Sequence, residues 1–426
     1  MNKRKMLAFM IAIVLILSSL MTSTIVVRKT EAAASSIVAS HGMLKVVGNK
    51  VCDASGKPIQ LKGMSLFWSQ WSTPFWNADL VNNLASTWNA TLIRAAMGVD
   101  EGGYISNPQV EKQKVITVVD AAINAGIYVI IDWHSHDIHT SEAVAFFGEM
   151  AQRYKNTPNV IFEIFNEPDY ESWAQVKTYS TQVINTIRST GAQNLILVGS
   201  PTWSQDVDVA ANDPITGFSN IAYTLHFYAG THKQYLRDKA ITAMSKGLAL
   251  FVSEWGTCDA SGNGNLDLTE SQRWIDFMNQ YQISWANWSM NDKAETASAL
   301  VVGASTTGPW PDSQLTESGK FVKAKIMENT PVPPSGGTTP PGEYTGIGLP
   351  FTHDGAGEYY WKTNKLSTDP NDWSHYINSW NLDLLEINGK DYTNVWVAQH
   401  QIAPSSDGYW YIHYKGSASS AHMEMK

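Results

Sequence analysis

Two glutamates stand at the ends of short apolar runs. Glu167 closes Val160-Ile-Phe-Glu-Ile-Phe-Asn-Glu-Pro168, and Glu254 lies near the end of Leu248-Ala-Leu-Phe-Val-Ser-Glu-Trp-Gly256. A pair of carboxylates facing each other across one cleft is what glycosidic bond cleavage needs. One gives and recovers a proton, and the other serves as nucleophile or base. Arg94, His134, Asn166, Trp203, His226 with Tyr228, and Trp288 fall at the ends of similar runs. A purely structural protein has no reason to place titratable, amide and indole groups at the end of one run after another.

The glutamates are far apart in sequence, so the elements that carry them must bring them together. A short apolar run bounded by polar turns reads as a strand buried on both faces. Eight such runs occur: Leu61–Leu66, Thr91–Met97, Tyr128–Trp133, Val160–Ile164, Asn194–Val198, Ile221–Leu225, Ala249–Ser253 and Ser284–Trp288. Segments with helical spacing, such as Val115–Asn124 and Trp173–Thr190, alternate with them. This alternation predicts an α/β fold, a (β/α)8 TIM barrel, whose functional side chains gather where strands end. The fourth and seventh runs would face each other across the mouth. No glycine-rich phosphate loop of the Rossmann or Walker type follows any run.

The chain divides into four parts. Residues 1–34 have Lys3, Arg4 and Lys5, an apolar stretch from Met6 to Leu20, then Ala32-Ala33-Ala34, the order of a secretory signal peptide. Residues 35–327 hold the barrel, preceded by a hairpin turning at Gly48-Asn49. Residues 328–342, rich in Pro, Gly and Thr, read as an extended linker. Residues 343–426 contain Glu358-Tyr-Tyr-Trp-Lys, Asn394-Val-Trp-Val-Ala and Gly408-Tyr-Trp-Tyr-Ile-His-Tyr, which predict a small all-β, sandwich-like accessory module. Among its tryptophans (Trp361, Trp373, Trp380, Trp396 and Trp410), Trp373 and Trp380 sit in the most polar surroundings and suit sugar stacking.

Bulk properties agree with an exported polysaccharide enzyme. The 30 basic and 39 acidic residues give a formal charge of −9, which disfavours nucleic acid or anionic membranes as partners. The 17 Trp and 17 Tyr supply flat faces beyond what a core requires. Export would allow a disulfide between Cys52 and Cys258, but the hairpin puts the first at the barrel floor and the second at the opposite rim. Two free thiols are expected.

The strings Asn166-Glu167-Pro168, Ile131-Asp132-Trp133-His134, Leu225-His226-Phe227-Tyr228 and Ser253-Glu254-Trp255-Gly256 resemble family 5 glycoside hydrolases of clan A. Leu92-Ile-Arg-Ala-Ala-Met97, Thr202-Trp-Ser-Gln-Asp-Val207 and Trp285-Ala-Asn-Trp-Ser289 are similar to the secreted bacterial endoglucanases of that family. The resemblance covers residues 40–327 and implies a retaining endo-β-1,4-glucanase acting on cellulose outside the cell, a monomer without cofactor or metal. It assigns the acid/base to Glu167 and the nucleophile to Glu254. It places Asn166 on the sugar 2-hydroxyl, Arg94 and Tyr228 beside the nucleophile, and His134 and His226 along the −1 subsite. Trp71, Trp203 and Trp288 resemble subsite platforms, Lys293 and Glu295 resemble contacts at the −2 sugar, and Trp68 is a further aromatic candidate. Where some relatives have Gly-Met-Ser-Ser-His, this chain has Gly63-Met-Ser-Leu-Phe67-Trp68, so the resemblance implies that one hydrogen bond at −2 is either missing or replaced by an aromatic contact. A mannanase or mixed-linkage glucanase would use the same mechanism, and a binding protein that had lost catalysis would keep the cleft. The tail matches no module family on these residues.

These roles carry electrostatic expectations. Arg94 and Tyr228 should lower the pKa of Glu254, while burial beside a second carboxylate should raise that of Glu167. Two segments also suggest metals. His134, His136, Asp137 and His139 offer zinc-type donors, better explained as sugar-cleft histidines. Asp259 to Glu270 has oxygen donors spaced as in a calcium loop, although no helix precedes it, and a Thr269/Gln272 capping box is the competing reading.

Overall fold

The computed structural model describes residues 36–328 and the strand residues 351–353, 358–362, 382–387, 390–391, 411–415 and 421–425. The predicted signal peptide and linker therefore lie outside the described residues, apart from Glu328. So do the run Asn394–Ala398 and Trp373, Trp380, Trp396 and Trp410.

In the first unit a two-stranded hairpin, β1 (Lys45–Val47) and β2 (Lys50–Cys52), turns at Gly48-Asn49 as expected, with Val47 opposite Lys50. Eight parallel strands follow and close on themselves: β3 (Lys62–Leu66), β4 (Leu92–Gly98), β5 (Tyr128–His134), β6 (Val160–Glu163), β7 (Ile196–Val198), β8 (Ile221–Tyr228), β9 (Leu250–Gly256) and β10 (Trp285–Met290). Each corresponds to one predicted run, and neighbours in sequence are neighbours in the barrel, with β10 returning to β3.

Local chemistry sets the helices between them. Asn77 caps Ala78–Thr87 by accepting from the Leu80 N–H at 2.9 Å. Helix Pro108–Ala125 starts at a proline, whose missing N–H costs nothing there, and stops at Gly126, which adopts the left-handed φ of 71°. Both faces of every barrel strand are covered, so aliphatic and aromatic side chains dominate them. On the outer side Trp274 stacks on Phe227 at 3.9 Å between ring centroids. Burying a side chain of that kind contributes roughly 1.5–3 kcal/mol or more.

The floor is plugged from below. Val38, Leu44 and Val51 join one apolar cluster with Leu61, Leu92, Ile130, Ile161 and Phe251 from the barrel strands, and the Tyr128 hydroxyl donates to the Gly42 carbonyl at 2.6 Å. Cys52 lies on β2 and Cys258 follows β9, and both are buried free thiols. No helix among the described residues is long and apolar enough to cross a membrane.

The second unit, described only by its strands, has two three-stranded antiparallel sheets. One orders Phe351–His353, Glu358–Lys362 and Tyr411–Lys415, and the other Lys390–Asp391, Leu382–Ile387 and Ala421–Met425. That agrees with an all-β module. Two of its three predicted aromatic runs contribute strands, while Leu382–Ile387 and Ala421–Met425, less aromatic, were not anticipated.

Candidate active site

β5, β8 and β9 run further than their apolar cores suggest. Their last residues carry His134, His226, Tyr228 and Glu254, so those side chains are held by ladder hydrogen bonds and not by loops. β8 and β9 bring His226 opposite Glu254. β6 is shorter and ends at Glu163, so Asn166 and Glu167 sit on the connection beyond it. That connection is anchored: the Asn166 N–H donates to the Trp133 carbonyl and the Glu167 N–H to the Ser135 carbonyl.

Arg94, fully buried on β4, organises the mouth. Its Nε donates to Glu163 at 2.8 Å, Nη1 to Glu254 Oε2 at 2.8 Å and Nη2 to Asn166 Oδ1 at 2.7 Å, while Nη2 also forms an ion pair with Asp132 Oδ2 at 2.9 Å. A guanidinium is rigid and delocalised, so it can hold three carboxylates and one amide in fixed directions. Burial alone would lower its pKa, but the charges of Asp132, Glu163 and Glu254 raise it further, so Arg94 stays cationic. Because the amide oxygen of Asn166 faces Arg94, its Nδ2 remains a donor without a protein partner among the described residues.

The two predicted carboxylates meet. One oxygen of Glu167, one of Glu254 and a nitrogen of His226 all lie within 4.8 Å of one another. Tyr228 donates its hydroxyl to Glu254 Oε1 at 2.8 Å. Gly256 makes room for that ring, since a Cβ there would come 2.3 Å from Tyr228 Cδ1. His226 Nδ1 is 2.9 Å from Glu167 Oε1, and His136 Nε2 is 3.3 Å from Glu167 Oε2.

These contacts reverse the expected electrostatics. Glu254 has a raised pKa: burial and the neighbouring charge of Glu167 outweigh Arg94, His226 and Tyr228. Glu167 is lowered to about 2: burial would raise it, but hydrogen bonds from His136 and His226 dominate. His226 in turn rises to about 9, because bonds to Glu163 and Glu167 overcome its burial. Glu167 and its imidazole partners thus share a proton, with the balance shifted toward the rings. The expectation failed because it counted one neighbouring carboxylate and no histidines.

The aromatic candidates separate into two groups. Trp203 is 37% and Trp71 53% exposed, as open platforms should be, whereas Trp288 is only 5% exposed. Trp288 lies parallel to the His134 ring at 5.1 Å and 7°, and tilts against Phe67, so it walls the site. Trp203 lines a cleft of about 440 Å³ with Glu167, His226, Tyr228, His232 and Glu254. Trp71 and Lys293 line a second hollow of about 380 Å³ with Phe67 and Asn291. Glu295 pairs with Lys293 at 2.6 Å and is largely buried, leaving the lysine as the more open of the two. Lys293 Nζ stands 5.0 Å over the ring of Phe67. Trp68 packs edge-on against His134 at 4.2 Å.

Thr202, Trp203 and Ser204 adopt left-handed φ of 59°, 55° and 55°, costly for residues with a Cβ. Hydrogen bonds hold them there. The Trp203 N–H donates to the Pro168 carbonyl at 2.9 Å, and Ser204 Oγ donates to the Asn166 carbonyl at 2.8 Å. The platform is therefore tied to the same connection that carries Glu167.

Sequence reading missed Glu163, Ser253, Asp132, His232 and the contact of His136. Asp132 bonds His134 Nδ1 at 2.7 Å, and His232, lowered to about 4 by burial, accepts from the Tyr228 N–H at 2.8 Å. A buried acid inside an apolar run, as in Ile161-Phe-Glu163-Ile, is the signal that could have flagged Glu163.

The donors of both metal-like segments are engaged in ion pairs and hydrogen bonds, although Asp137 and His139 lie with Asp100 within 4.8 Å of one another. His134, His136 and His139 go to Asp132, Glu167 and Asp100 respectively, three different acids. In the 259–270 loop, Asp267 Oδ1 accepts from the Glu270 N–H and its Oδ2 pairs with Lys233, while Glu270 is held by Arg237 and Arg273. The helix that follows, Leu268–Tyr281, is thus capped by Asp267, two residues before the Thr269 of the Thr269/Gln272 box considered from sequence.

Comparison with known proteins agrees with this geometry. Residues 52–294 match the cellulase family (glycosyl hydrolase family 5), and residues 339–426 match carbohydrate-binding module 64. An endoglucanase of Clostridium saccharobutylicum is 51% identical over 331 residues, covering 76% of this chain and 72% of that protein. A solved structure from Cytophaga hutchinsonii is 51% identical with a TM-score of 0.67, covering 68% of this chain and 96% of that one. A Thermobifida fusca endoglucanase catalytic domain solved with cellotetraose is 33% identical with a TM-score of 0.66, covering 69% of this chain and all of that one. With its closed parallel barrel and paired glutamates, the chain belongs to glycosyl hydrolase family 5.

Proposed function

We propose that this chain is a secreted, retaining endo-β-1,4-glucanase that cuts internal bonds of cellulose by double displacement, with Glu254 as nucleophile and Glu167 as acid/base. The observation that carries the roles is the approach of one oxygen of each carboxylate to within 4.8 Å, with Arg94 and Tyr228 both committed to Glu254. Inversion would need a separation of about 6.5 Å or more to admit a water.

In the first step Glu254 attacks the anomeric carbon, the glycosidic C–O bond breaks, and the leaving oxygen takes a proton from Glu167. Arg94 and Tyr228 keep one oxygen each, which orients the carboxylate and favours its ionised form against burial. When the sugar ester forms, the Glu254 charge disappears, and Glu167 can then take a proton from the attacking water. Asn166 Nδ2 is the free donor for the sugar 2-hydroxyl. Endoglucanase relatives, one solved with cellotetraose, support β-1,4-glucan as the substrate class. The expected result is an initial rate on carboxymethyl cellulose at least about tenfold above that on mannan, the discrimination a site reading a hydroxyl's orientation achieves. A higher rate on mannan or on lichenan would transfer the assignment to a mannanase or mixed-linkage glucanase, and no turnover on any would leave a binding protein.

The proposal extends to the remaining segments. Residues 1–34 direct export and are removed, the barrel works extracellularly as a monomer, and 343–426 tether it to polysaccharide through the 328–342 linker. The carbohydrate-binding module 64 match supports the tether. Deleting 343–426 should reduce retention on insoluble cellulose at least about tenfold, because linked binding raises local concentration. Rates on soluble carboxymethyl cellulose should remain within about twofold. Equal retention of both forms would remove the binding role.

A further inference from the structure

Four consecutive hydrogen bonds lead from Arg94 to the acid/base without passing through solvent. Arg94 Nε donates to Glu163 Oε2 at 2.8 Å. Ser253 Oγ donates to Glu163 Oε1 at 2.6 Å. Ser253 Oγ lies 2.9 Å from His226 Nε2, and His226 Nδ1 lies 2.9 Å from Glu167 Oε1. Glu163 and Ser253 are wholly buried, and neither touches the space a sugar would occupy. The −1 chemistry proposed above does not use them.

We infer that Glu163 and Ser253 are positioning residues that fix the tautomer of His226 and thereby keep a proton available to Glu167. This rests on Glu167 being the acid/base. Donor counting leads to it. Glu163 sits on a guanidinium and is ionised, so it can only accept. A serine has one hydroxyl hydrogen, which goes to Glu163, so toward His226 the oxygen must act as acceptor. His226 Nε2 therefore carries a hydrogen. With Nε2–H fixed, the neutral ring has a bare Nδ1, which pairs with a protonated Glu167; the charged ring pairs with its anion. Either way one proton lies between Nδ1 and Oε1. Losing it would set two lone-pair acceptors against each other at 2.9 Å, so the pair holds its proton to higher pH than either group alone. The raised imidazole and lowered Glu167 describe that shared proton resting on the ring.

Other charged groups also face this pair. Glu254 on β9, Arg94 on β4, Asp132 and His134 on β5, Tyr228 on β8, and His136 and His232 on the connections all lie near it. Among them Glu163 is the one joined to Nε2 through a hydroxyl, with a direct separation of 3.6 Å.

Without the serine hydroxyl, His226 can move its hydrogen to Nδ1 and donate to ionised Glu167, which stabilises the deprotonated pair. The basic limb of kcat/KM on carboxymethyl cellulose, which reports the acid of the free enzyme, should then fall by about one pH unit in Ser253→Ala. Glu163→Gln removes the negative charge and should shift the limb the same way, while Ser253→Thr, which retains a hydroxyl, should stay within about 0.3 unit of wild type. Nitrogen-15 NMR of histidine-labelled enzyme, with the His226 signals identified by their loss in His226→Asn, should show Nε2–H above the basic limb in wild type and Nδ1–H in Ser253→Ala. An unmoved limb in both Ser253→Ala and Glu163→Gln, or an Nδ1–H tautomer in wild type, would overturn the inference. If Glu167→Ala inactivates while those limbs stay put, the acid assignment survives and the relay does not. If Glu167→Ala turns over cellulose normally, the acid assignment itself fails.

Discussion

Replacing Glu254 by alanine should lower kcat on carboxymethyl cellulose by about 10⁴-fold or more, as removal of a covalent nucleophile does in enzymes of this kind. Cello-oligosaccharide binding should persist, because Trp71, Trp203 and Asn166 remain. Added azide then distinguishes the two glutamates by stereochemistry. In Glu254→Ala, azide fits the space the carboxylate left and attacks the anomeric carbon from that face, so the product is the α-glycosyl azide. In Glu167→Ala the sugar ester still forms when the leaving group needs no proton, and azide displaces Glu254 to give the β-glycosyl azide. Proton-demanding cellulose should lose far more rate in Glu167→Ala than an activated aryl cellobioside does. β-Azide from the Glu254 variant, or α-azide from the Glu167 variant, would exchange or dismantle the assignments.

Arg94→Met should cost more stability than any other single change at the mouth. It leaves Asp132, Glu163 and Glu254 buried together with no guanidinium, and breaking a buried ion pair typically costs about 3–5 kcal/mol. The carboxylates would respond by retaining protons, since burial already raises Asp132 and Glu254. The sign follows directly. A folded-state carboxylate pKa above its unfolded value means the native state binds more protons between the two values. Stability is then greatest at low pH and declines as pH rises through that interval. Relative to wild type, the Tm of Arg94→Met should therefore fall progressively from about pH 4 toward pH 8. Activity should fall at least about 10²-fold, because a protonated Glu254 cannot attack carbon. Arg94→Lys restores the charge but not the fork, and should recover more stability than rate. A Tm shift independent of pH would show that Arg94 acts through packing alone.

Much of the architecture was legible along the chain because the chemistry behind it is local. Strands buried on both faces must be apolar throughout, so Tyr128-Val-Ile-Ile and Leu250-Phe-Val announce themselves, and eight of them separated by helical spacing leave few alternatives to a closed barrel. Their ends were less legible. β8 runs on to Tyr228 and β6 stops at Glu163, four residues before Glu167, because ladder pairing across the barrel decides where a strand ends. In the tail, alternation marked Glu358–Lys362, but pairing partners such as Ala421–Met425 have little aromatic content to betray them.

Candidate reacting groups came from residue types at or just beyond run ends, and Glu167, Glu254, Asn166, His226 and Tyr228 converge there, while Arg94 reaches them from inside β4. Their protonation could not be read in that way. A pKa depends on distances of a few ångströms between side chains scattered along the sequence, and only the closed barrel brings His136 and His226 onto Glu167 and seats three acids around Arg94. The same holds for exposure, which separates the open Trp71 and Trp203 from the walled-in Trp288, and for the Glu163–Ser253–His226 line. Periodicity along the chain specified which elements form and which chemistry they can carry. Tertiary packing decided where each proton resides, because electrostatic interaction falls off with distance in space and takes no account of separation along the chain.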